Sequence, residues 1–527
     1  MIGLQDILKE LWKVSRTDNR PNVIFLMTDQ QRWDALGVVN PLVKTPNLDR
    51  LAKTGIRFEH AVCQAPMCVP SRYSLMFGYY PSQTGVRSNG GGLFFEDRLP
   101  STPLPELMRQ QGYQTAGFGK THWNHGFLNP EPPTRGFEVR AEGQSADSAQ
   151  YEAGAVMMSD VNPDGLARYF EETKDFGGGE ENPNGYLGCT SKILPSDHRD
   201  GFIAEQCLKF LDEGVDPERP LFLYLSFIKP HAGFNVIKEF EDLYNLDDIP
   251  DVPEPPWLEE PETHVRATRE QNPQMQLRYQ RWKEVWDQLS KEKRRRTTLR
   301  YWANCSWLDD YFGQVLAKLE QLGRLDNCII IYCSDHGDMM GERRHMFSKY
   351  CLYDSSVRVP LIISGSVIPE AKRGTVDDRP AELVDIIPTI KSVLGIPQDP
   401  RMPGLDLLGE GKRLGGFCEF YGGAPDRQFG TPAYMWRKQD WKLILYLPGP
   451  LMGAVAKVDQ TQGELYCLES DPNEWNNLYE DPQYAAVREQ MKTELLMHLA
   501  TVWARGPVFY EKAGLRPLGA DVGPEEL

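Results

Sequence analysis

Short, uninterrupted runs of apolar residues recur along the first two thirds of the chain. They lack the apolar–polar alternation of a half-exposed strand, which is typical of strands buried on both faces of a parallel sheet. The runs that we predict to be such strands are residues 22–28, 115–118, 221–227, 328–334 and 360–364. Between them, helical spacing closed by a glycine predicts helices at residues 46–54, 104–111, 201–213 and 294–322. Alternating strands and helices predict an α/β fold, a large, mixed but mainly parallel sheet sandwiched by helices.

The pattern changes near residue 415, where short apolar and aromatic runs are joined by turn-like segments. Four predicted strands follow one another at residues 416–421, 433–436, 441–447 and 464–468, and the turn-like residues 437–440 predict a hairpin. Residues 484–503 have helical spacing. We therefore predict a smaller C-terminal subdomain that consists of an antiparallel sheet and one helix.

These patterns divide the 527-residue chain into four predicted parts. They are an N-terminal helical extension (1–20), the main α/β domain (21–412), the sheet-and-helix subdomain (413–505) and a Gly- and Pro-rich tail (506–527). Within the main domain, the charged and tryptophan-rich residues 251–293 are predicted to be a surface insertion. A lid, an oligomer contact and an ordinary surface loop all stay open for this insertion.

The charge of the chain narrows the range of partners. A formal net charge of −17 argues against nucleic acid or an anionic membrane surface as the main partner. No apolar run approaches the roughly 20 residues that span a membrane, and residues 1–20 lack the continuous apolar core of a secretory signal. The 10 cysteines show no metal-binding spacing, so reduced thiols and a cytoplasmic location are expected. A monomer and a homo-oligomer both stay open.

Polar residues capable of chemistry follow directly on several of the predicted strands. They are Asp29 and Gln30, Lys120 and His122, His231, and Asp335 and His336. The carboxyl ends of parallel strands meet at one edge of a sheet, where open α/β folds build their sites, and adjacent Asp and His side chains there can bind one metal ion. Each residue alone has an ordinary use, as a helix cap, a surface cation or a buried histidine. Three of the nine histidines occupy such positions, however, and this clustering favours a functional site.

Cys68 begins the most informative motif of the chain. It opens the sequence Cys-Val-Pro-Ser-Arg, which ends at Arg72 and is followed by Gly-Tyr-Tyr-Pro at residues 78–81. A free cysteine is ordinarily a small buried hydrophobe, but this pentapeptide resembles the signal by which sulfatases have one cysteine oxidised to formylglycine. Together with the strand-end residues and Gly-Glu-Leu-Tyr at 463–466, it makes the chain resemble the sulfatase branch of the alkaline phosphatase superfamily, which includes phosphonate monoester hydrolases, from about residue 22 to 479.

The resemblance implies an alkaline phosphatase-like fold and a role for each matched residue. Arg72 would steady the formylglycine, and Asn89 would contact the substrate, as an asparagine does in phosphonate hydrolases. The residues implied to hold one divalent metal ion are Asp29, Gln30, Asp335 and His336, together with the modified Cys68. The residues implied to bind the sulfate and transfer protons are Lys120, His122, His231 and Lys349.

Two departures from the family pattern leave the substrate class open. Many sulfatases carry an aspartate in place of Gln30 and an asparagine in place of His336, and this Gln–His pair resembles phosphonate monoester hydrolases and choline sulfatases. Lys120 and His122, in contrast, resemble a true sulfatase. The leading hypothesis is a hydrolase that cleaves small anionic sulfate monoesters into sulfate and an alcohol or phenol. A phosphonate monoester or phosphate diester hydrolase is the alternative, and an unmatured binding protein of the same fold is the third hypothesis.

The same resemblance implies the cofactors and one protein partner. An oxygen-only ligand set favours Ca²⁺, whereas the imidazole of His336 shifts the preference toward Mn²⁺, so both ions stay open. The formylglycine would be made from Cys68 by a formylglycine-generating maturation enzyme.

Overall fold

The computed structural model describes residues 18–89, 102–122, 135–143, 154–174, 187–257, 273–421, 433–446 and 462–504. The helix predicted in the N-terminal extension and the tail predicted at 506–527 lie outside these ranges. Among the described residues, no helix combines the length and the apolar character needed to cross a membrane. All ten cysteines lie within the described ranges, and each is a free thiol.

The described strands form two main sheets and one small ribbon. They are, in chain order, β1 (Asn22–Asp29), β2 (Ile56–Val62), β3 (Gln114–Gly119), β4 (Val139–Glu142), β5 (Val156–Met157), β6 (Leu221–Pro230), β7 (Cys328–Ser334), β8 (Met339–Met340), β9 (Phe347–Ser348), β10 (Leu361–Ser364), β11 (Thr375–Glu382), β12 (Gly416–Phe420), β13 (Ala433–Arg437), β14 (Trp441–Tyr446) and β15 (Gln462–Cys467). Nine of them form a sheet in the order β11-β2-β10-β7-β1-β6-β3-β4-β5, four form a sheet in the order β12-β13-β14-β15, and β8 pairs with β9.

Along the chain, most of the α-helices of the described residues alternate with strands of the large sheet. They are, in chain order, α1 (Pro46–Thr54), α2 (Cys68–Phe77), α3 (Pro81–Thr84), α4 (Leu104–Gln110), α5 (Met158–Val161), α6 (Pro163–Thr173), α7 (Arg199–Glu213), α8 (Lys238–Glu241), α9 (Pro273–Gln288), α10 (Lys291–Gln321), α11 (Asp354–Val357), α12 (Ile386–Val393) and α13 (Ala485–Ala504).

The central strand β1 shows why the large sheet is buried on both faces. Successive side chains of a strand point to opposite faces, and in β1 both sets are apolar. Val23, Phe25 and Met27 belong to one core, to which α2 and α12 contribute, while Ile24 and Leu26 belong to a second core with α7 and α10. The strands that flank β1 are parallel to it. This mainly parallel sheet between helices confirms the predicted α/β fold.

The predicted strands are present with small shifts of boundary, but the one predicted at residues 360–364 runs in the opposite direction. Strand β10 is antiparallel to both of its neighbours, β7 and β2, so its prediction as a parallel strand is wrong. The reason is the connection that precedes it. After β7 the chain passes through β8, β9 and α11 and enters β10 from the edge at which β7 ended, whereas a parallel strand needs a crossover to the opposite edge.

The small sheet confirms the predicted change of pattern near residue 415. Strands β12, β13, β14 and β15 are antiparallel neighbours in chain order, and β13 with β14 forms the predicted hairpin. Helix α13 shares a core with this sheet, to which Leu443 and Leu465 contribute from the strands and Met491 and Leu495 from the helix.

The segment predicted as a surface insertion, residues 251–293, is packed more deeply than predicted. Residues 251–257 and 273–293 of it are described, and Trp282 and Trp286 of α9 are only 2% and 4% exposed. Trp286 meets Phe347 of β9 edge-on, with 5.5 Å between the ring centres. Trp282 and Trp286 therefore pack α9 against the main core.

Candidate active site around Cys68

Cys68 is the first residue of helix α2. Every residue of this helix is buried, so the helix start places the thiol in the interior of the protein. The Oδ1 of Asn89 accepts a hydrogen bond from the backbone N–H of Val69, at 3.2 Å. This N–H is one of the donors that a helix start leaves without an intrahelical partner. Asn89, which was predicted to contact the substrate, thus holds the turn that carries Cys68.

Four side chains converge beside α2. Asp29, Cys68, Asp335 and His336 each offer a ligand atom, and these atoms lie within 4.8 Å of one another. The Cys68 Sγ is 3.3 Å from His336 Nε2 and 3.7 Å from Asp29 Oδ1. All four residues are buried, and buried carboxylates that share a site require compensating positive charge. Two carboxylates and an imidazole form a donor set that fits a divalent ion.

The imidazole of His336 is oriented by a backbone neighbour. Its Nδ1 lies 2.9 Å from the carbonyl oxygen of Gly337, and a carbonyl can only accept, so Nδ1 carries the proton. The lone pair of Nε2 is then available on the side of Cys68. Burial lowers the pKa of His336 to about 3, so the ring is neutral near pH 7, as a metal ligand must be.

Gln30 places its amide oxygen near the ligand atoms of Cys68 and His336. Its backbone N–H donates to Asp335 Oδ1 at 3.0 Å, and its carbonyl oxygen accepts from the Tyr301 hydroxyl at 2.7 Å. These bonds hold a left-handed backbone with a φ of 69°, which is uncommon for a residue other than glycine. The Oε1 accepts a hydrogen bond from Lys349 Nζ at 3.0 Å. Since Lys349 also contacts Cys68 and His336, Oε1 lies close to the other ligand atoms.

Three buried cations balance the carboxylates. Arg72 donates through Nε to Asp335 Oδ2 at 2.7 Å and through Nη1 to the carbonyl oxygen of Lys120 at 2.7 Å. Lys120 Nζ donates to Asp29 Oδ2, and Lys349 Nζ donates to Cys68 Sγ at 2.8 Å. We call the following residues the cysteine cluster: Asp29, Gln30, Cys68, Arg72, Lys120, Asp335, His336 and Lys349.

Burial and neighbouring charges shift the pKa values within the cysteine cluster. Burial raises the pKa of the Cys68 thiol, although the charge of Lys349 opposes this. Burial lowers the pKa of Lys120 to about 7. Burial also opposes the ionisation of Asp335, but Arg72 and the other cations around it hold its pKa well below the ordinary value. The cluster therefore combines an ionised carboxylate with a protonated thiol, and a protonated thiol is a poor nucleophile.

The two predicted histidines that lie outside the cluster are half-buried. His231 follows β6, and its Nδ1 is 3.3 Å from the carbonyl oxygen of Ala232. Burial and the charges of Lys349 and Lys120 lower the pKa of His231 well below the ordinary value. His122 stands two residues beyond Lys120 in a left-handed conformation, with a φ of 60°.

Two serines that were not predicted also hold the cysteine cluster in place, and a further buried carboxyl group lies beside it. Ser226 Oγ accepts from Arg72 at 3.0 Å, and Ser71 Oγ donates to the carbonyl oxygen of Asp335 at 2.5 Å. Asp338 is buried two residues beyond His336, and burial raises its pKa to about 8. Ser71 stands inside the Cys68 motif and Asp338 stands two residues beyond His336, so their positions were a usable signal. Ser226 lies within a strand of ordinary apolar pattern and had no such signal.

Comparisons with known proteins find matching family models and curated relatives. The sulfatase family model matches residues 21–396, and a model of the C-terminal region of N-sulphoglucosamine sulphohydrolase matches residues 341–500. The arylsulfatase of Clostridium perfringens is 27% identical over 91% of this chain and 94% of its own length. The choline-sulfatase of Rhizobium meliloti is 29% identical over 89% of this chain and 84% of its own length.

Solved structures show the same fold. The phosphonate monoester hydrolase of Agrobacterium radiobacter superposes with a TM-score of 0.70 at 22% identity, covering 92% of this chain and 96% of that one. A 2-O GAG sulfatase superposes with a TM-score of 0.65 at 20% identity, covering 92% of each chain. The match extends over both sheets, since it spans nearly the whole chain.

Proposed function

The chain belongs to the sulfatase family, and from this premise we propose that it hydrolyses small sulfate monoesters with a formylglycine made from Cys68. The prediction of an enzyme that acts on sulfuric esters is confirmed by the family match. The nucleophile, the metal ion and the substrate are the parts that we propose.

The observation that carries the proposal is the position of the Cys68 side chain among the ligand atoms of Asp29, Asp335 and His336. A nucleophile on this side chain would be within reach of a metal ion and of two lysines. The thiol itself is protonated and ill suited to the task. A hydrated aldehyde at residue 68 would offer two hydroxyls on one carbon, one to attack the sulfur and one to expel the sulfate as the aldehyde forms again.

A metal ion fits the donor set, and the chain supplies the remaining electrostatics. A divalent ion held by Asp29, Gln30, Asp335 and His336 would supply Lewis acidity and lower the pKa of a hydroxyl on residue 68. Lys120 and Lys349 would pair with the sulfate oxygens, on which negative charge develops during the reaction. Arg72 holds Asp335 and the backbone of Lys120 in their positions.

Lys349 and His231 are the two groups that we propose to protonate the departing alcohol oxygen. Burial opposes the charge of Lys349, but the neighbouring Cys68 and Asp335 raise its pKa above the ordinary value, so it keeps its proton. His231 is neutral in the free protein, because burial and the two lysines lower its pKa. A bound sulfate anion would offset the lysines and raise that pKa. His122 would accept the proton of the second hydroxyl.

The first test compares two substrates on matured protein supplied with Mn²⁺ or Ca²⁺. We expect kcat/KM for an aryl sulfate to exceed that for the matching aryl phosphonate monoester. Mass spectrometry of the Cys68 peptide, on protein from the native host, is expected to show the aldehyde in place of the thiol. An unmodified thiol there would support a binding protein that is never matured and would overturn the proposal.

A phosphonate monoester hydrolase is the second candidate, and the amide of Gln30 favours it. An amide in place of a second carboxylate makes the ligand set less anionic, which eases the approach of a phosphonate monoester, whose single negative charge is shared by two non-bridging oxygens rather than by the three of a sulfate monoester. We expect Gln30→Asp to raise the ratio of the sulfate rate to the phosphonate rate. An unchanged ratio would show that residue 30 has no part in the choice of substrate.

A further inference from the structure

Lys229 is a buried lysine that the proposed reaction has not used. It is 3% exposed and is the last residue but one of β6. Its Nζ donates to the carbonyl oxygen of Gly233 and, at 2.6 Å, to Oδ1 of Asn235. Burial lowers the pKa of Lys229 to about 8, although the charge of Asp200 opposes this, so the group is mainly protonated near pH 7. Burial of an ammonium group is costly, and the bonds that it makes here all go to one short segment of chain.

These two bonds close a loop of chain onto the end of β6. We call residues 231–235 the histidine loop, because His231 is its first residue. Gly233 and Asn235 lie four and six residues beyond Lys229, so the ammonium group ties the far side of the loop to the strand. The N–H of Asn235 also donates to the carbonyl oxygen of Gly233 at 2.8 Å. A shift of the histidine loop would therefore break the bonds to Lys229.

The register of the large sheet places the histidine loop beside the cysteine cluster. In the pairing of β6 with β1, Pro230 stands opposite Asp29, which is one of the ligand residues. The next residue is His231, whose backbone N–H donates to the carbonyl oxygen of Ile228 at 3.2 Å. Its Nδ1 lies 3.3 Å from the carbonyl oxygen of Ala232, and among the described residues the ring has no hydrogen-bond partner outside the loop. The direction of the imidazole therefore depends on the backbone of the loop.

Asn235 is itself held from its other end. It is completely buried, and its Nδ2 donates to Oε2 of Glu172 on α6 at 3.2 Å. A carboxylate can only accept, so it selects the amide nitrogen and leaves Oδ1 of Asn235 facing Lys229. The following residue, Val236, donates through its N–H to the carbonyl oxygen of Cys189 at 3.0 Å. Lys229 thus binds an acceptor that is fixed in position.

We propose that Lys229 is a positioning residue, whose ammonium group holds the histidine loop and thereby places the His231 imidazole for proton transfer to the departing alcohol oxygen. The inference rests on the proposed function, in which His231 is one of two proton donors. As the S–O bond breaks, its electron pair goes to the alcohol oxygen, the proton passes from Nε2 of the imidazolium to that oxygen, and the ring is left neutral. Such a transfer needs about 2.6–3.2 Å between the heavy atoms, so a displacement of about 1 Å costs up to about 100-fold in rate.

The dependence of kcat/KM on the leaving group tests this role. Protonation of the departing oxygen matters most for a poor leaving group, such as phenol, and least for an activated one, such as 4-nitrophenol. With matured Lys229→Met and a series of substituted phenyl sulfates, we expect a loss of about 100-fold for the poorest leaving group and of less than about 10-fold for the best. An equal loss across the series would overturn the proposal, because it would indicate a general defect of the fold.

A double variant separates positioning from other effects of Lys229. His231→Ala removes the proton donor, so the loss of Lys229 should then cost nothing further. We expect kcat/KM of the variant that combines Lys229→Met with His231→Ala to equal that of His231→Ala within about 2-fold. Losses that multiply in the double variant would contradict the proposal. Asn235→Ala removes only one acceptor of Lys229, so it should steepen the dependence on the leaving group by less, and it provides the same test if Lys229→Met does not fold.

Arg324 supplies the matched control. It is another buried cation that donates to backbone carbonyl oxygens, those of Asp216 and, at 2.8 Å, of Arg219, which precede the opposite end of β6. Arg324→Met should lower Tm and leave the dependence on the leaving group unchanged. If the matured wild type hydrolysed no member of the series, the proposed function itself would be refuted, whereas an active wild type with an unchanged dependence in Lys229→Met would refute only the role of Lys229.

Discussion

The cysteine cluster and a second buried cluster of charges, at the junction of the two sheets, are built from similar residues but are satisfied in different ways. We call the following residues the intersheet cluster: His60, Asp354, Arg437, Lys442 and Glu474. Both clusters are almost completely removed from solvent. Burial of charge alone therefore does not distinguish them.

In the intersheet cluster each charge meets an opposite charge. Arg437 donates to both oxygens of Asp354, at 2.9 to 3.1 Å. Lys442 Nζ lies 2.5 Å from Asp354 and 2.7 Å from Glu474. Burial opposes the ionisation of Asp354, yet Arg437 and Lys442 hold its pKa well below the ordinary value. These pairs join β13 and β14 to the segment that begins α11.

The cysteine cluster differs because its donor atoms converge without pairing completely. Ligand atoms of four residues share one small volume, and Gln30 Nε2 and both Asp338 oxygens have no well-formed hydrogen bond among the described residues. Buried polar atoms are normally satisfied, so such a local excess indicates an additional binding partner or a functional constraint. Convergence of ligand atoms, rather than burial or charge, marks the site.

The two clusters are also joined by one segment of chain. Lys349 belongs to the cysteine cluster, and Asp354 follows it by five residues. Lys442 donates to the carbonyl oxygen of Leu352 at 3.1 Å, and Glu474 accepts from the backbone N–H of Asp354 at 2.6 Å. The small sheet thus holds the backbone that carries Lys349, which gives the C-terminal part of the chain a role in shaping the site.

Cys68→Ala tests the functional side of the comparison and has the largest expected effect. We expect kcat/KM for an aryl sulfate to fall by about 10⁴-fold or more, because the nucleophile is lost. The Tm should change little, because the ion pairs of the cluster do not involve the thiol. Cys207→Ala is the control: Cys207 lies on α7 and is buried in the apolar core, so its loss should lower Tm and leave kcat unchanged. Equal activity losses in the two variants would remove the distinction between a chemical and a packing cysteine.

Lys442→Met tests how much the intersheet cluster contributes to stability. The change leaves two buried carboxyl groups without their shared cation, and breaking a buried pair in this way costs about 3–5 kcal/mol of unfolding free energy. Denaturation by urea measures this loss. Lys438→Met is the matched control, because Lys438 pairs with Glu494 at 3.0 Å but is 31% exposed, and such pairs contribute about 1 kcal/mol or less. Similar losses of unfolding free energy in both variants would show that burial does not increase the contribution of the intersheet cluster to stability.

The buried strands show how far the sequence alone could predict the fold. Strand β7 matches its prediction residue for residue, because a strand buried on both faces is one contiguous apolar run. Strand β11 escaped prediction, because exposed polar residues interrupt its apolar pattern. The direction of β10 could not be predicted either, since it depends on the path of residues 335–360 rather than on the strand.

The candidate site was predictable in its residue types but not in its contacts. Asp29 and Asp335 were singled out because each follows a predicted strand. Their proximity follows from the register of β1 and β7, which pairs Thr28 with Ser334, and register is a property of the assembled sheet. The partners of Arg72 depend on the same assembly, so no local pattern could indicate them.

His60→Asn sharpens the comparison through pH and has the smallest expected effect. His60 Nδ1 lies 2.9 Å from Arg437, and burial, with Arg437 and Arg358, lowers the pKa of His60 from 6.5 to about 4. Between these two pH values the unfolded chain binds a proton that the folded protein does not, so stability falls as the pH falls through this window. The full loss is about 3 kcal/mol.

Asparagine at residue 60 can still accept from Arg437 but does not titrate. The unfolding free energy of His60→Asn should therefore decline less than that of the wild type, by about 3 kcal/mol, between pH 7 and about pH 4. Urea denaturation of both proteins across this range measures the difference, and other titrating groups cancel in the comparison. Parallel curves would mean that His60 is protonated within the folded intersheet cluster. The charges of that cluster would then not be balanced in the way that its ion pairs indicate.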